Sequence, residues 1–102
     1  MKRYNKLVRD GIPDILEKQG GEYFLKKIKN DREYFHYLRN KLVEEVSEFM
    51  ADPSIEELAD IHEVILTLAF ELGHTQAELD DERLKKRRER GSFAERWILV
   101  EA

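Results

Sequence analysis

Residues 44–60 read Glu44-Glu45-Val46-Ser47-Glu48-Phe49-Met50-Ala51-Asp52-Pro53-Ser54-Ile55-Glu56-Glu57-Leu58-Ala59-Asp60. Two acidic clusters flank the Pro-containing turn Asp52-Pro53-Ser54, and each cluster reads as part of a helix. Two helices joined by so short a turn pack antiparallel. Glu44-Glu45-x-x-Glu48 and Glu57-x-x-Asp60 are then expected to face one another across a single groove. Carboxylates gathered in this way repel one another unless cations neutralise them, and hard oxygen donors of this kind suit Mg²⁺ or Mn²⁺.

The flanking sequence supplies the helices. Upstream, Asn30 with Glu33 forms a capping-box pattern. From there Phe35, Leu38, Leu42, Val46 and Phe49 recur at spacings of three and four, which predicts one apolar face. At about 100° per residue Glu45 and Glu48 fall at the edge of that face, with Glu44 further round toward solvent. The second helix is expected to start near Pro53, capped by Asp52 or Ser54, and to stop at Gly73. Its apolar line is Leu58, Ile61, Ile65, Leu68 and Leu72, widened by Ala59, Leu66, Ala69 and Phe70. Glu57, Asp60, Glu63, Thr67 and Glu71 make the opposing polar stripe. A helix this apolar is buried on more than one side, and in so small a chain the second cover is expected to be another subunit. Thr75 with Glu78 opens a third long helix that runs to about Arg90 and stops at Gly91. Its acidic first half and basic second half suit the helix dipole.

Nearer the amino terminus, Asp10-Gly11-Ile12-Pro13 opens a short helix that Gly20-Gly21 ends. Residues 22–29 and 96–100 read as extended, the second pairing with the first or with residues 4–9. The fold class predicted is all-α: a bundle of three long helices plus a short amino-terminal one, with minor strands and a core completed by oligomerisation.

At 102 residues the chain makes one domain, residues 1–102, which hides roughly 65% of its unfolded surface. Apolar residues make up 41% and charged residues 39%, a balance that suits surface-heavy helices or an oligomer. The net charge of −4 argues against a general nucleic-acid partner. The absence of cysteine excludes disulfides, zinc-thiolate sites and cysteine nucleophiles. No run of about 18 apolar residues occurs, and the start Met-Lys-Arg-Tyr-Asn-Lys lacks the apolar stretch of a secretory signal, so a cytoplasmic location is expected.

Each acidic cluster alone has a plainer explanation. Lys41 lies three before Glu44 and four before Glu45, a surface ion-pair spacing, and Glu57 lies three after Ser54, a capping spacing. Taken together, the pairs 45/48 and 57/60 are i,i+3 neighbours, each on one helix face, which sets four carboxylates where they can grip one or two cations.

Glu44-Glu45-x-x-Glu48 followed by Glu57-x-x-Asp60 resembles the EExxE…ExxD signature of the all-α nucleoside triphosphate pyrophosphohydrolases. That superfamily includes MazG proteins, dimeric dUTPases and phosphoribosyl-ATP pyrophosphohydrolase. Tyr4-Asn5-Lys6-Leu7-Val8-Arg9-Asp10-x-Ile12-Pro13 looks like the amino-terminal motif of its small members, and Arg90-Gly91-Ser92-Phe93 looks like their RGGF-type carboxyl-terminal motif. The likeness spans essentially the whole chain. It departs in the eight residues between Glu48 and Glu57, fewer than in typical MazG domains, and in Ser92, where a second Gly is common.

The resemblance implies Mg²⁺-dependent hydrolysis between the α and β phosphates of a nucleoside triphosphate or related nucleotide, with nucleotide house-cleaning as the expected role. Glu45, Glu48, Glu57 and Asp60 are the implied metal ligands. Glu44 either joins them or orients the attacking water, and Glu63 stands behind them. Lys6, Arg9, Lys41, Lys85 and Arg88 are candidate phosphate-binding residues, and a homodimer or homotetramer is implied. The histidines His36, His62 and His74 share no spacing that suggests a site. Trp97 and Phe93 are expected in the core rather than against a base. Two other classes fit less of the sequence: a non-catalytic module of the same fold that binds a nucleotide or partner, and a nucleic-acid binder using residues 85–90.

Overall fold

A computed structural model describes residues 2–102. They form four helices and, among the described residues, no strand: α1 (Ile12–Gln19), α2 (Asp31–Ala51), α3 (Ile55–Glu71) and α4 (Gln76–Arg90). Each helix boundary has a local cause. Pro13 lies in the first turn of α1, where its missing N–H costs nothing, and Gly20 with φ of 70° ends the helix. The Asn30 side chain accepts a hydrogen bond from the Glu33 amide. The Glu33 carboxylate accepts from the Asn30 side-chain amide, so this is half of the expected capping box. Ser54, rather than Asp52, caps α3 by accepting from the Glu57 amide. At the other end of α3 the Gly73 amide donates to the Phe70 carbonyl and the His74 amide to the Ala69 carbonyl, with Gly73 at φ of 89°. That pair of bonds is a Schellman stop, and the left-handed residue it needs is the glycine. Thr75 and Glu78 make a full capping box for α4.

The α2–α3 hairpin is the centre of the molecule, and α4 packs on α3. The buried apolar residues are few: Leu38 of α2 with Val64 and Ala69 of α3. Of the apolar stripe expected on α2, Leu38 is buried, Phe35, Leu42 and Phe49 are half-buried, and Val46 stands exposed. On α2 the line turned inward runs Tyr34, Leu38, Lys41, Glu45, so that Glu45 is only 7% exposed while Val46 is 40% exposed. Glu45 lies inside the hairpin contact, not at its edge. On α3 the half-buried set is Glu57, Asp60, Ile61, Leu66, Thr67, Leu68 and Glu71, whereas Leu58 and Leu72 stand exposed. On both helices acidic residues are thus covered alongside the apolar ones.

The expected strands are overturned. Residues 22–29 and 96–100 run without ladder partners, and Trp97 and Phe93, placed in the core by the sequence reading, are 87% and 97% exposed. The sequence has strand-forming residues in both segments, yet neither meets a second strand within the chain, and an unpaired strand has nowhere to send its backbone hydrogen bonds.

Candidate metal and phosphate site

The hairpin brings three carboxylates together. Glu45 of α2 and Glu57 and Asp60 of α3 each offer an oxygen within 4.8 Å of the others. Position 57 is held by the cap, because Ser54 accepts from its amide, and Asp60 follows one turn later on the same face. One oxygen on Glu45 and one on Glu57 are buried with no hydrogen-bond partner. A buried carboxylate oxygen without a donor is costly, so the centre of this cluster has an unmet demand for positive charge.

Cations supply part of that demand from one side. The amino-terminal segment crosses the hairpin with Leu7 and Val8 half-buried. It places the Lys6 Nζ 2.8 Å from Glu44 Oε1, and an Arg9 guanidinium nitrogen 2.7 Å from Asp60 Oδ1. Lys41, largely buried on α2, lies 3.3 Å from Glu45 and 3.4 Å from Glu44. Lys6, Arg9 and Lys41 thus converge on the carboxylates as ion-pair partners.

The electrostatics separates two adjacent glutamates. Burial pushes the Glu45 carboxyl above its ordinary value; the neighbouring Glu48 carboxyl adds to this, and Lys41 opposes it without prevailing. Burial also acts upward on Glu44, but its hydrogen bond from Lys6 and the charges of Lys41 and Lys6 outweigh it, so Glu44 is held below its ordinary value. The Lys6 ammonium is pushed up by its bond to Glu44, against a smaller effect of burial.

Beneath the amino-terminal segment lies a cavity of about 510 Å³, with Arg9, Lys41, Glu45, Asp60, Glu63 and Tyr34 in its wall. Glu48 is exposed and lies beside Glu45 but outside the three-carboxylate cluster. Lys85 and Arg88 are exposed on α4 and are not part of the cavity wall. Two wall residues were not named in the sequence reading: Tyr34, whose hydroxyl is pushed up first by burial, and Val64, buried on α3; Thr67 of the polar stripe also lines the wall, its hydroxyl donating to the Glu63 carbonyl. Tyr34 was legible, being four residues before Leu38 and eleven before Glu45 on one helical line; Phe35 took its place in the apolar count.

Comparison of the chain with protein families, with curated proteins and with solved structures finds no match.

Proposed function

We propose that the protein is a Mg²⁺-dependent nucleoside triphosphate pyrophosphohydrolase, cleaving between the α and β phosphates to give a monophosphate and pyrophosphate. One observation carries this reading: Glu45, Glu57 and Asp60 converge within 4.8 Å, and two of their buried oxygens lack any donor. The donor set fits a hard divalent cation, all-oxygen and anionic. Glu45, Glu57 and Asp60 would hold it, with Glu48 near enough to Glu45 to join. When bound, such a cation offsets the carboxylate charge, polarises phosphoryl oxygens and makes bound water more acidic.

The remaining roles belong to the chain's own side chains. Arg9 and Lys41 stand in the cavity wall, where they can bind phosphate oxygens and neutralise the charge that develops on the leaving pyrophosphate. Lys6, paired with Glu44 outside the wall, reinforces the positive side of the site. Glu44, kept ionised by Lys6 and Lys41, is the acceptor available to orient a water. Leu7, Val8 and the Tyr34 ring are placed to limit water around the reacting phosphate. The reading includes a second copy of the chain as partner, since the hairpin offers so little apolar core of its own.

The test is pyrophosphate release from a panel of nucleoside triphosphates with Mg²⁺, run on the wild type and on Glu45→Gln. Pyrophosphate from the wild type with at least a hundredfold loss in the variant is the expected result. Absence of turnover on every triphosphate would leave the carboxylates as a structural or binding feature.

A further inference from the structure

Two features singled out in the sequence lie outside the hairpin cavity: the basic second half of α4, with Lys85 and Arg88, and the segment Arg90-Gly91-Ser92-Phe93. Both belong to one uncovered stretch, since every residue from Asp81 to Ala102 is exposed. Residues 83–96 carry seven basic side chains, at 83, 85, 86, 87, 88, 90 and 96, against Glu89 and Glu95. The local net charge is therefore +5, in a chain of net −4. The ion pairs among the described residues draw on Lys6, Arg9, Lys26, Lys41 and His74, and on none of these seven. At about 100° per residue, Lys85, Lys86, Arg87, Arg88 and Arg90 point to all sides of the helix. The helix dipole is served by the cations of the last turn, Arg87, Arg88 and Arg90. It gives no reason for Arg83, Lys85, Lys86 and Arg96.

The chain then sets aromatic rings beside these charges. Gly91, at φ of 83°, ends α4, and the Arg96 amide donates to the Phe93 carbonyl 3.3 Å away, closing a turn. Around that turn lies a cleft of about 340 Å³ walled by Phe93, Arg96 and Trp97, with Ser92, Glu95 and Ile98 completing it. Phe93 and Trp97 are 97% and 87% exposed. Aromatic faces and a guanidinium plane next to unpaired cations are the parts by which proteins hold unpaired nucleic acid. The cations follow the phosphates and the rings stack on bases.

We infer that the second half of α4 and the cleft after it form a binding surface for single-stranded nucleic acid, with phosphates on the cations of residues 85–90 and bases against Trp97 and Phe93. Charges act on a strand within a Debye length, about 8 Å at physiological salt, so the local charge governs this contact and the chain total does not. A membrane surface fits less well. A helix lying in a lipid interface needs an apolar face, and residues 83–90 have one apolar side chain, Leu84. A duplex fits less well too, because its bases already stack on one another. The surface is separate from the carboxylate cavity, so the inference does not depend on the nucleotide reaction.

Trp97 is the sole tryptophan, so its emission reports on the cleft. The test titrates the full chain, in chelator, with DNA and RNA strands of about 12 nucleotides, a length within the usual range of single-strand sites. Binding is read by anisotropy of a fluorescein-labelled strand and by Trp97 emission with an unlabelled one. The expected result is saturable binding with quenching of Trp97, weakened about fiftyfold between about 50 and 200 mM salt, the response to neutralising about four phosphates. Lys86→Glu combined with Arg87→Glu should weaken binding at least tenfold, and Trp97→Ala at least fivefold, with helix content unchanged by circular dichroism. Glu45→Gln should bind as the wild type does. Failure to bind either strand at the lower salt would overturn the inference, as would binding that the double charge reversal leaves unchanged. Displacement of the strand by a nucleoside triphosphate at equal phosphate concentration would overturn it and assign the surface to single nucleotides. A blue shift of Trp97 on phosphatidylcholine–phosphatidylserine vesicles, with no quenching by either strand, would overturn it in favour of a lipid surface.

Discussion

Glu45 is the residue on which the local physics turns. Its carboxyl is held above its ordinary value, first by burial and then by Glu48. The folded state therefore keeps a proton that the unfolded chain has already lost. Stability contributed by the protonated form is complete below the ordinary carboxylate value and is lost as pH rises to the raised one. Glu44 has the opposite sign: its contribution is present above the ordinary value and is lost as pH falls through the lowered one. In chelator, urea unfolding of the wild type should lose stability relative to Glu45→Gln as pH rises through the Glu45 window. Near neutrality the variant should be more stable by about 1 kcal/mol, the order of one unsatisfied buried polar group. Millimolar Mg²⁺ should stabilise the wild type and leave the variant unmoved; equal shifts in both would remove Glu45 from the metal site. Arg9→Gln is expected to change stability by less than about 0.5 kcal/mol, because its bond to Asp60 is exposed to solvent, as urea melts would show. The spacing of acidic residues singled out Glu45, Glu57 and Asp60 together with Glu48, which lies outside the three-carboxylate cluster. It could not reveal that Glu45 is buried, since apolar counting ranks Val46 above it, and the choice is made by which face α3 and the amino-terminal segment meet.

Among the elements, the caps were the most legible features, because a cap depends only on neighbours three residues away. Asn30, Ser54 and Thr75 each accept from the amide three residues on. Thr75→Ala should cost about 1 kcal/mol, the usual cost of losing such an acceptor. Since α4 packs only on α3 among the helices, that loss should appear as faster amide exchange over the first turn of α4 rather than as global unfolding. The Glu78 carboxylate is held below its ordinary value by the Thr75 amide first and by His74 next. Acidification through that lowered value should therefore speed the same amides, and unchanged exchange would show that the box does not hold the helix end. Gly73→Ala should destabilise by about 1 kcal/mol in thermal melts, for its φ of 89° and not for lack of room, since an added Cβ meets nothing. The extended segments were misread for the converse reason. Tyr23, Phe24, Ile28 and residues 97–100 have strand propensity, but a strand is settled by a distant partner, which the local sequence does not encode.

At the scale of the molecule, the question is how so little covered apolar surface holds the chain together. Among the described residues, the three buried apolar ones, Leu38, Val64 and Ala69, are a small core, and the conformational entropy of ordering a chain of this length runs to about 100–200 kcal/mol. The excess apolarity of α3 signalled this in the sequence; which rows stay uncovered became visible only once the hairpin's packing was fixed. If the separated hairpin is barely stable, unfolding and dissociation are one event, and the melting temperature depends on protein concentration. For a two-chain unit, each tenfold increase adds about 1.4 kcal/mol in favour of the folded dimer. At a size near 200 residues that should raise the melting temperature by about 3–5 °C. Calorimetry from about 1 to 100 μM in chelator measures this slope without any contribution from divalent cations. A flat melting temperature over that range would mean that the hairpin folds alone, and Ile65→Glu would then be expected to melt where the wild type does. A rising one, abolished in Ile65→Glu, would tie the missing core to the exposed face of α2 and α3. Mg²⁺ added afterwards should raise the melting temperature by binding at the carboxylates, leaving the concentration slope intact.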